Sequence, residues 1–154
     1  MFREMRRNDR EIKNNEVKEI LAHSDYGILS TISQNGYPYG VPVGFVYVNN
    51  SIYFHCATEG HKLDNILNNS QVSFCVVGQT SVLPDQFSTK YESVILFGIA
   101  NEVFDDEKNI ALLEILKKYS PDYIAKGKEY IKNRNMATRV IKINIEHCTG
   151  KARR

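Results

Sequence analysis

Two tight turns, Asn35-Gly36 and Asn49-Asn50, constrain this chain more than any other feature, because each lies between runs that read as β-strands. Asn and Gly accept the positive φ values that a two-residue hairpin loop requires, so the flanking strands must pair antiparallel. "YGILSTIS" precedes the first turn and "YPYGVPVGFVYV" follows it; the second turn leads into "SIYFHC". "QVSFCVV", "ESVILFGIANEV" and "TRVIKINIEHC" supply later strands, the last with Val140, Ile141, Ile143 and Ile145 expected to be buried. Pro38 and Pro42 each remove a ladder donor, which an edge, a bulge or a ligand in place of a neighbouring strand would tolerate.

Helices are read around these strands. "NNEVKEILAHS" forms one with Asn15 as a cap and Val17, Ile20 and Leu21 on its apolar face. A short helix over 61–68 is expected to bury Leu63, Ile66 and Leu67. Asp105-Asp106-Glu107 opens a third whose end carries Lys117-Lys118, charges that suit the helix dipole. Pro121 starts a fourth through "DYIAKGKEYIKN". The fold class expected is mainly β with peripheral helices: an antiparallel sheet, closed or partly closed, in one domain over 1–154 with a polar N-terminal arm.

Composition narrows the function classes. The 154 residues are 42% hydrophobic and 25% charged, as in ordinary globular proteins. A net charge of +2 does not argue for nucleic acid, and the basic ends "FREMRRNDR" and "GKARR" read as solvated tails. No run is long enough to span a bilayer and no secretory leader is visible, so no membrane is expected. Cys56, Cys75 and Cys148 form no CxxC pair, which suits a reducing cytoplasm.

The chemistry concentrates in "YFHCATEGHKLDNI", residues 53–66, with His55, Cys56, His61 and Lys62 around one turn. Zinc would need four N/S ligands from paired short motifs, and none is present. A Cys56 nucleophile would need a base beside it, but His55 points to the opposite face of the strand. Anion binding uses the turn directly: a helix beginning after Gly60 offers unpaired N–H groups and its positive end, Lys62 adds a charge, and Thr58 a hydroxyl. Neither GxxxxGK[ST] nor GxGxxG occurs, so a phosphate would be held by another architecture.

The blocks "GILSTISQNGYPYGVPV", "IYFHCATEGHKLDNI", "VLPDQFSTKYESVILFGIA" and "VIKINIEHCTGKARR" occur in that order. Together they resemble the 5-nitroimidazole-resistance type of flavoprotein, within the pyridoxamine 5'-phosphate oxidase-like superfamily, from about Arg6 to Arg153. The resemblance implies an FMN-binding split β-barrel, antiparallel and Greek-key-like, acting as a homodimer with a flavin at the subunit interface. It assigns His61 and Lys62, helped by Gly60, to the phosphate. His55, Cys56 and Ala57 would line the strand leading there, and Val41, Pro42 and Val43 would pass the isoalloxazine. Tyr91, Glu92 and Ser93 would face the cofactor, with Lys151 and Arg153 near the pocket mouth. His61 stands where pyridoxamine phosphate oxidases carry arginine, and the chain has no tryptophan, which speaks against vitamin B6 as substrate.

The expected activity is flavin-mediated reduction of a small electron-poor acceptor such as a nitroimidazole or nitroaromatic, with an unidentified electron donor. His55 is the group expected nearest the substrate. Backbone donors at 41–43 are expected to stabilise charge on the reduced ring. The alternatives are a non-catalytic flavin-binding or storage protein, or a split barrel holding haem or a deazaflavin.

Overall fold

The structure, a computed structural model, describes residues 1–154. Seven strands form one sheet: β1 (Gly27–Ile32), β2 (Pro38–Val43), β3 (Val46–Val48), β4 (Ser51–Cys56), β5 (Gln71–Leu83), β6 (Ser88–Val103) and β7 (Arg139–Arg153). Their order is β2-β1-β5-β6-β7-β4-β3, and every pairing is antiparallel. Four α-helices accompany it: α1 (Asn14–His23), α2 (His61–Asn68), α3 (Asp105–Tyr119) and α4 (Ile124–Arg134).

Both hairpin turns form where the sequence places them. Gly36 has φ 87°, and its N–H donates to Ser33 O at 2.9 Å. Asn49 and Asn50 have φ 49° and 57°, the two positive values of a type I′ turn. The two edge strands, β2 and β3, are consecutive in the chain, with only Gly44 and Phe45 between them. The sheet therefore curls until its edges nearly meet, yet no ladder closes them. It is a split barrel. The prolines of β2 sit on an edge, the first of the three tolerant settings, since Pro38 and Pro42 pair only with Ile32 and Ile28 of β1.

The barrel interior holds Phe45, Phe54 and Phe74, all fully buried, and each contributes about 1.5–3 kcal/mol by leaving water. Val17, Ile20 and Leu21 of α1 plug one opening, and Leu63 and Ile66 of α2 join the same core. A second cluster lies outside the barrel, where Val46, Tyr53 and Val140 meet Ala111 and Leu112 of α3. β4 is thus covered on both faces, which explains why "SIYF" is buried without alternation. Tyr119 at the end of α3 closes the β2–β3 corner: its hydroxyl accepts from Phe45 N–H at 2.9 Å and donates to Asp25 O at 2.6 Å.

Three local expectations are corrected. Leu67 is 76% exposed, because the stripe of α2 that meets the barrel runs through Leu63 and Ile66 and brings Asn65 inward instead. Ile145 is only partly buried, lying just past a bulge at Phe97/Gly98. Asn15 lies within α1 rather than capping it; Lys13 is the capping position, its N–H donating to Glu16 Oε2 at 3.1 Å.

One face of the barrel wall carries no helix. Register aligns Ile28, Cys75, Ile95 and Thr149 in one row, and Ser30, Ser73, Phe97 and His147 in the next. Ile95 and Phe97 are exposed there, and the N-terminal arm lays Phe2 against Phe97 and His147 with ring centroids 5.3 and 4.9 Å apart. Beyond Cys75, β5 runs on without β1, so the β5–β6 hairpin projects as an arm tipped by Phe87, 96% exposed.

Candidate functional site

β4 delivers the chain through Ala57 to Gly60, whose φ of 149° is one that side-chain-bearing residues rarely adopt. No other atom stands near the place of its absent Cβ, so the backbone is open to close approach. The first helical bond of α2 runs from Asp64 N–H to Gly60 O at 3.1 Å. The N–H groups of His61, Lys62 and Leu63 precede it and face outward at the positive end of the helix.

His61 is anchored. Its ring stacks on Tyr39 of β2 at 3.9 Å between centroids, and its Nε2 lies 3.0 Å from Ser33 Oγ. Asn65, 3% exposed, donates to both Thr31 Oγ1 (3.0 Å) and Ser33 Oγ (3.2 Å). Ser33 Oγ thus joins Asn65 to His61 in one hydrogen-bonded network. Ser33, Tyr39 and Asn65 are the residues that sequence reasoning missed. Only Asn65, polar and four residues after His61, carried a local signal.

Lys62 has no ion pair and no hydrogen bond. Its charge reaches its neighbours nonetheless. Burial first, and Lys62 second, hold the His55 imidazole below its usual 6.5, so it is neutral at pH 7. Burial pushes the Cys56 thiol up, with Lys62 and Arg139 working against it. The two residues face opposite ways, Cys56 into the core and His55 onto the outer surface of β4. Cys56 is therefore no thiolate nucleophile, and its side chain lines no open site. No three His, Cys, Asp or Glu side chains converge as a metal site.

The remaining expected residues fall in two places. Val41 and Val43 pack toward the core and Pro42 faces outward on the β2 edge. Pro42 has no N–H, which corrects the expectation of donors throughout 41–43. Tyr91, Ser93 and Lys151 lie together on the uncovered face of β6 and β7, while Glu92 points the other way and meets Arg154 at 3.4 Å. Arg10 donates to the Tyr91 hydroxyl at 3.3 Å and Lys151 Nζ sits 5.6 Å from its ring centre. Desolvation opposes them, but these cations hold the Tyr91 phenol below its usual 10. Beside them Arg153 Nη1 is buried with no hydrogen-bond partner. The structure does not bring the two groups together within one chain: Cys56 pairs with Arg139 and Ser93 with Lys151, twelve residues on, about 40 Å of strand.

Residues 13–152 match the family described as pyridoxamine 5'-phosphate oxidase. The chain belongs to that family. No curated protein matches it. Among solved structures, it is similar to a candidate 5-nitroimidazole antibiotic resistance protein from Bacteroides thetaiotaomicron, at 25% identity and TM-score 0.77 over 92% of this chain and 86% of that one. It shares the fold of a conserved hypothetical protein from Mycobacterium tuberculosis (17%, TM-score 0.83, 97% and 90%). The FAD and haem binding protein from Mycobacterium smegmatis is likewise similar in fold (19%, TM-score 0.80, 91% and 71%). The family assignment bears out the resemblance read from the four sequence blocks, and the split barrel is the fold expected of it.

Within this pyridoxamine 5'-phosphate oxidase family member the α2 turn can do a definite set of things. It can hold an anion against backbone N–H groups and one free ammonium, beside the anchored ring of His61. It offers neither a metal centre nor an activated thiol.

Proposed function

We propose that the protein binds FMN and uses it to reduce a small electron-poor acceptor such as a nitroaromatic. The single observation that carries the reading is Lys62, an unpaired cation at the open N-terminus of α2 behind Gly60. A terminal phosphate dianion suits this cradle better than the diester of FAD, because all of its charge can face one helix end. Bound there, the flavin supplies the two-electron chemistry. Lys62 and the N–H groups of residues 61–63 hold the phosphate, and the Ser33–Asn65 network keeps His61 from swinging across it. Residues 41–43 on the β2 edge pass the ring, with Pro42 as the side chain that faces it. His55, neutral at pH 7, holds or accepts a proton near the substrate.

A homodimer completes this site. The uncovered wall around Ile95 and Phe97 and the projecting 77–92 arm are the surface that a second copy would cover. That copy would bring its Tyr91, Ser93 and Lys151 to the cradle. Glu92 is left out of the cofactor set, being held by Arg154. No helix is long and apolar enough to cross a membrane, and the three cysteines are free, as a cytoplasmic protein would have them.

A second reading, binding or storage of flavin or haem without turnover, is favoured by the likeness to the mycobacterial FAD and haem binding protein. The absorption spectrum of the purified protein and chromatography of its released chromophore decide the cofactor. FMN supports the proposal; FAD, a Soret band, or a colourless protein that ignores added FMN overturns it. Oxidation of NAD(P)H with a nitroaromatic acceptor then separates the enzyme from the storage protein.

A further inference from the structure

The 77–92 arm leaves the barrel at a β-bulge. The register of β5 on β6 shifts between Val77 and Thr80, and β7 follows β6 only as far as the Tyr91–Arg153 pair. From the Ser81–Lys90 pair outward the arm has two strands and no third. A two-stranded hairpin is marginal by itself in water, so whatever braces its root decides how it projects.

One guanidinium braces that root. Arg154, just past β7, places Nη1 2.7 Å from Glu16 Oε1 on α1 and Nη2 3.4 Å from Glu92 Oε1 on β6. Each carboxylate turns its other oxygen to a backbone N–H. Glu16 Oε2 accepts from Lys13 N–H at 3.1 Å, the bond that caps α1. Glu92 Oε2 accepts from Gln79 N–H, inside the bulge, at 3.5 Å. The Lys13 N–H first, and Arg154 second, hold the Glu16 carboxyl below its usual 4.5. A single polar chain therefore runs from the first turn of α1, through Arg154, to the root of the arm.

Gly78 makes room for it. A Cβ at that position would stand 2.8 Å from Glu92 Oε2 and 3.5 Å from Ile20 of α1. The bulge thus brings the helix that plugs the barrel, the carboxylate and the arm to one point, and a side chain at 78 would displace the carboxylate.

We propose that Arg154 is a clasp that couples α1 to the arm: through Glu16 and Glu92 it sets the arm at its bulge, so that freeing the first turn of α1 frees the arm. The clasp is ionic, and the Arg154 side chain is 57% exposed, so ionic strength tunes it. The arm is held ready for a partner at low salt and slackens at high salt. The coupling stands whichever cofactor occupies the cradle.

The test is amide solvent exchange by NMR on the full chain, read at Lys13, at Gln79 and along the 80–91 hairpin, with the barrel ladder at 72–76 as internal reference. It is run at about 0.01 M and about 1 M salt, where the Debye length is roughly 30 and roughly 3 Å. In the natural sequence the Gln79 and hairpin rates are expected to rise with salt while the barrel ladder keeps its own. Arg154→Gln speeds Lys13 and Gln79 about 2- to 5-fold at low salt and leaves them unchanged at high salt. Glu16→Gln, which touches nothing on the arm, also speeds Gln79, and adds nothing further in an Arg154→Gln background. Gly78→Ala, which leaves every charge in place, speeds Gln79 at both salts. A Gln79 rate that ignores Glu16→Gln, or effects of the two substitutions that simply add, overturns the coupling and leaves two separate surface ion pairs. An Arg154→Gln effect that persists at high salt overturns the ionic clasp and assigns the arginine to packing.

Discussion

The α2 cradle and the Tyr91–Lys151–Arg153 cluster both gather positive charge, but they are finished to different degrees. At the cradle a buried network is closed within the chain: Asn65 serves Thr31 and Ser33, and Ser33 bonds His61. At the far end of β7, Arg10 and Lys151 crowd one phenol, and a buried guanidinium nitrogen has nothing to bond. The network at the cradle is satisfied within one chain, whereas the guanidinium at the far end of β7 is left with an unsatisfied donor. The contrast teaches that folding alone finishes the cradle but not the cluster on β6 and β7.

The sharpest way to break the comparison is Ile95→Asp, which puts a charge in the middle of the uncovered wall. It is expected to convert a dimer to a monomer in light scattering while the fold persists, and to lower flavin occupancy although the cradle is untouched. Undiminished occupancy in a monomer would assign the whole site to one chain. Next is Lys62→Ala, expected to weaken FMN binding about 10- to 100-fold in equilibrium dialysis; unchanged affinity would remove the lysine from the site.

Asn65→Ala tests the self-sufficient side. It leaves Thr31 and Ser33 without their donor and should cost about 1–3 kcal/mol in urea unfolding, with a looser His61 ring by NMR. A loss near zero would show that water replaces the amide. The smallest effect is electrostatic. His55 should titrate below 6.5 in an NMR series, and Lys62→Ala should move its midpoint upward without restoring it fully, because burial is the larger cause. Between its folded midpoint and 6.5 the unfolded chain binds more protons. His55 therefore makes stability rise with pH across that window and fall as pH drops through it. A midpoint at or above 6.5 would mean that the ring is better solvated than its packing implies.

How much of this was legible in the sequence depended on range. The turns at 34–36 and 49–50 and the start of α2 after Gly60 were readable because the residues that need unusual φ are themselves in the turn. The opposite facing of His55 and Cys56 followed from the pleat alone. Leu67 misled, because helical spacing names a stripe but not which edge of it meets the barrel. The Ser33–Asn65–His61 network joins a β1–β2 turn to a helix about thirty residues later. The Arg154 clasp needs Glu16 of α1 and Glu92 of β6 to meet at the end of β7. No local pattern encodes either.

The open seam of the barrel carries a last consequence. An unclosed sheet exposes two rows of backbone donors and acceptors, and such rows invite a stray chain to add itself as another strand. Here β2 interrupts its row with Pro38 and Pro42, and β3 offers only three residues. The seam that lets the barrel stay split is thereby a poor template for fibril growth, and replacing both prolines with valine should show itself first as turbidity in concentrated samples.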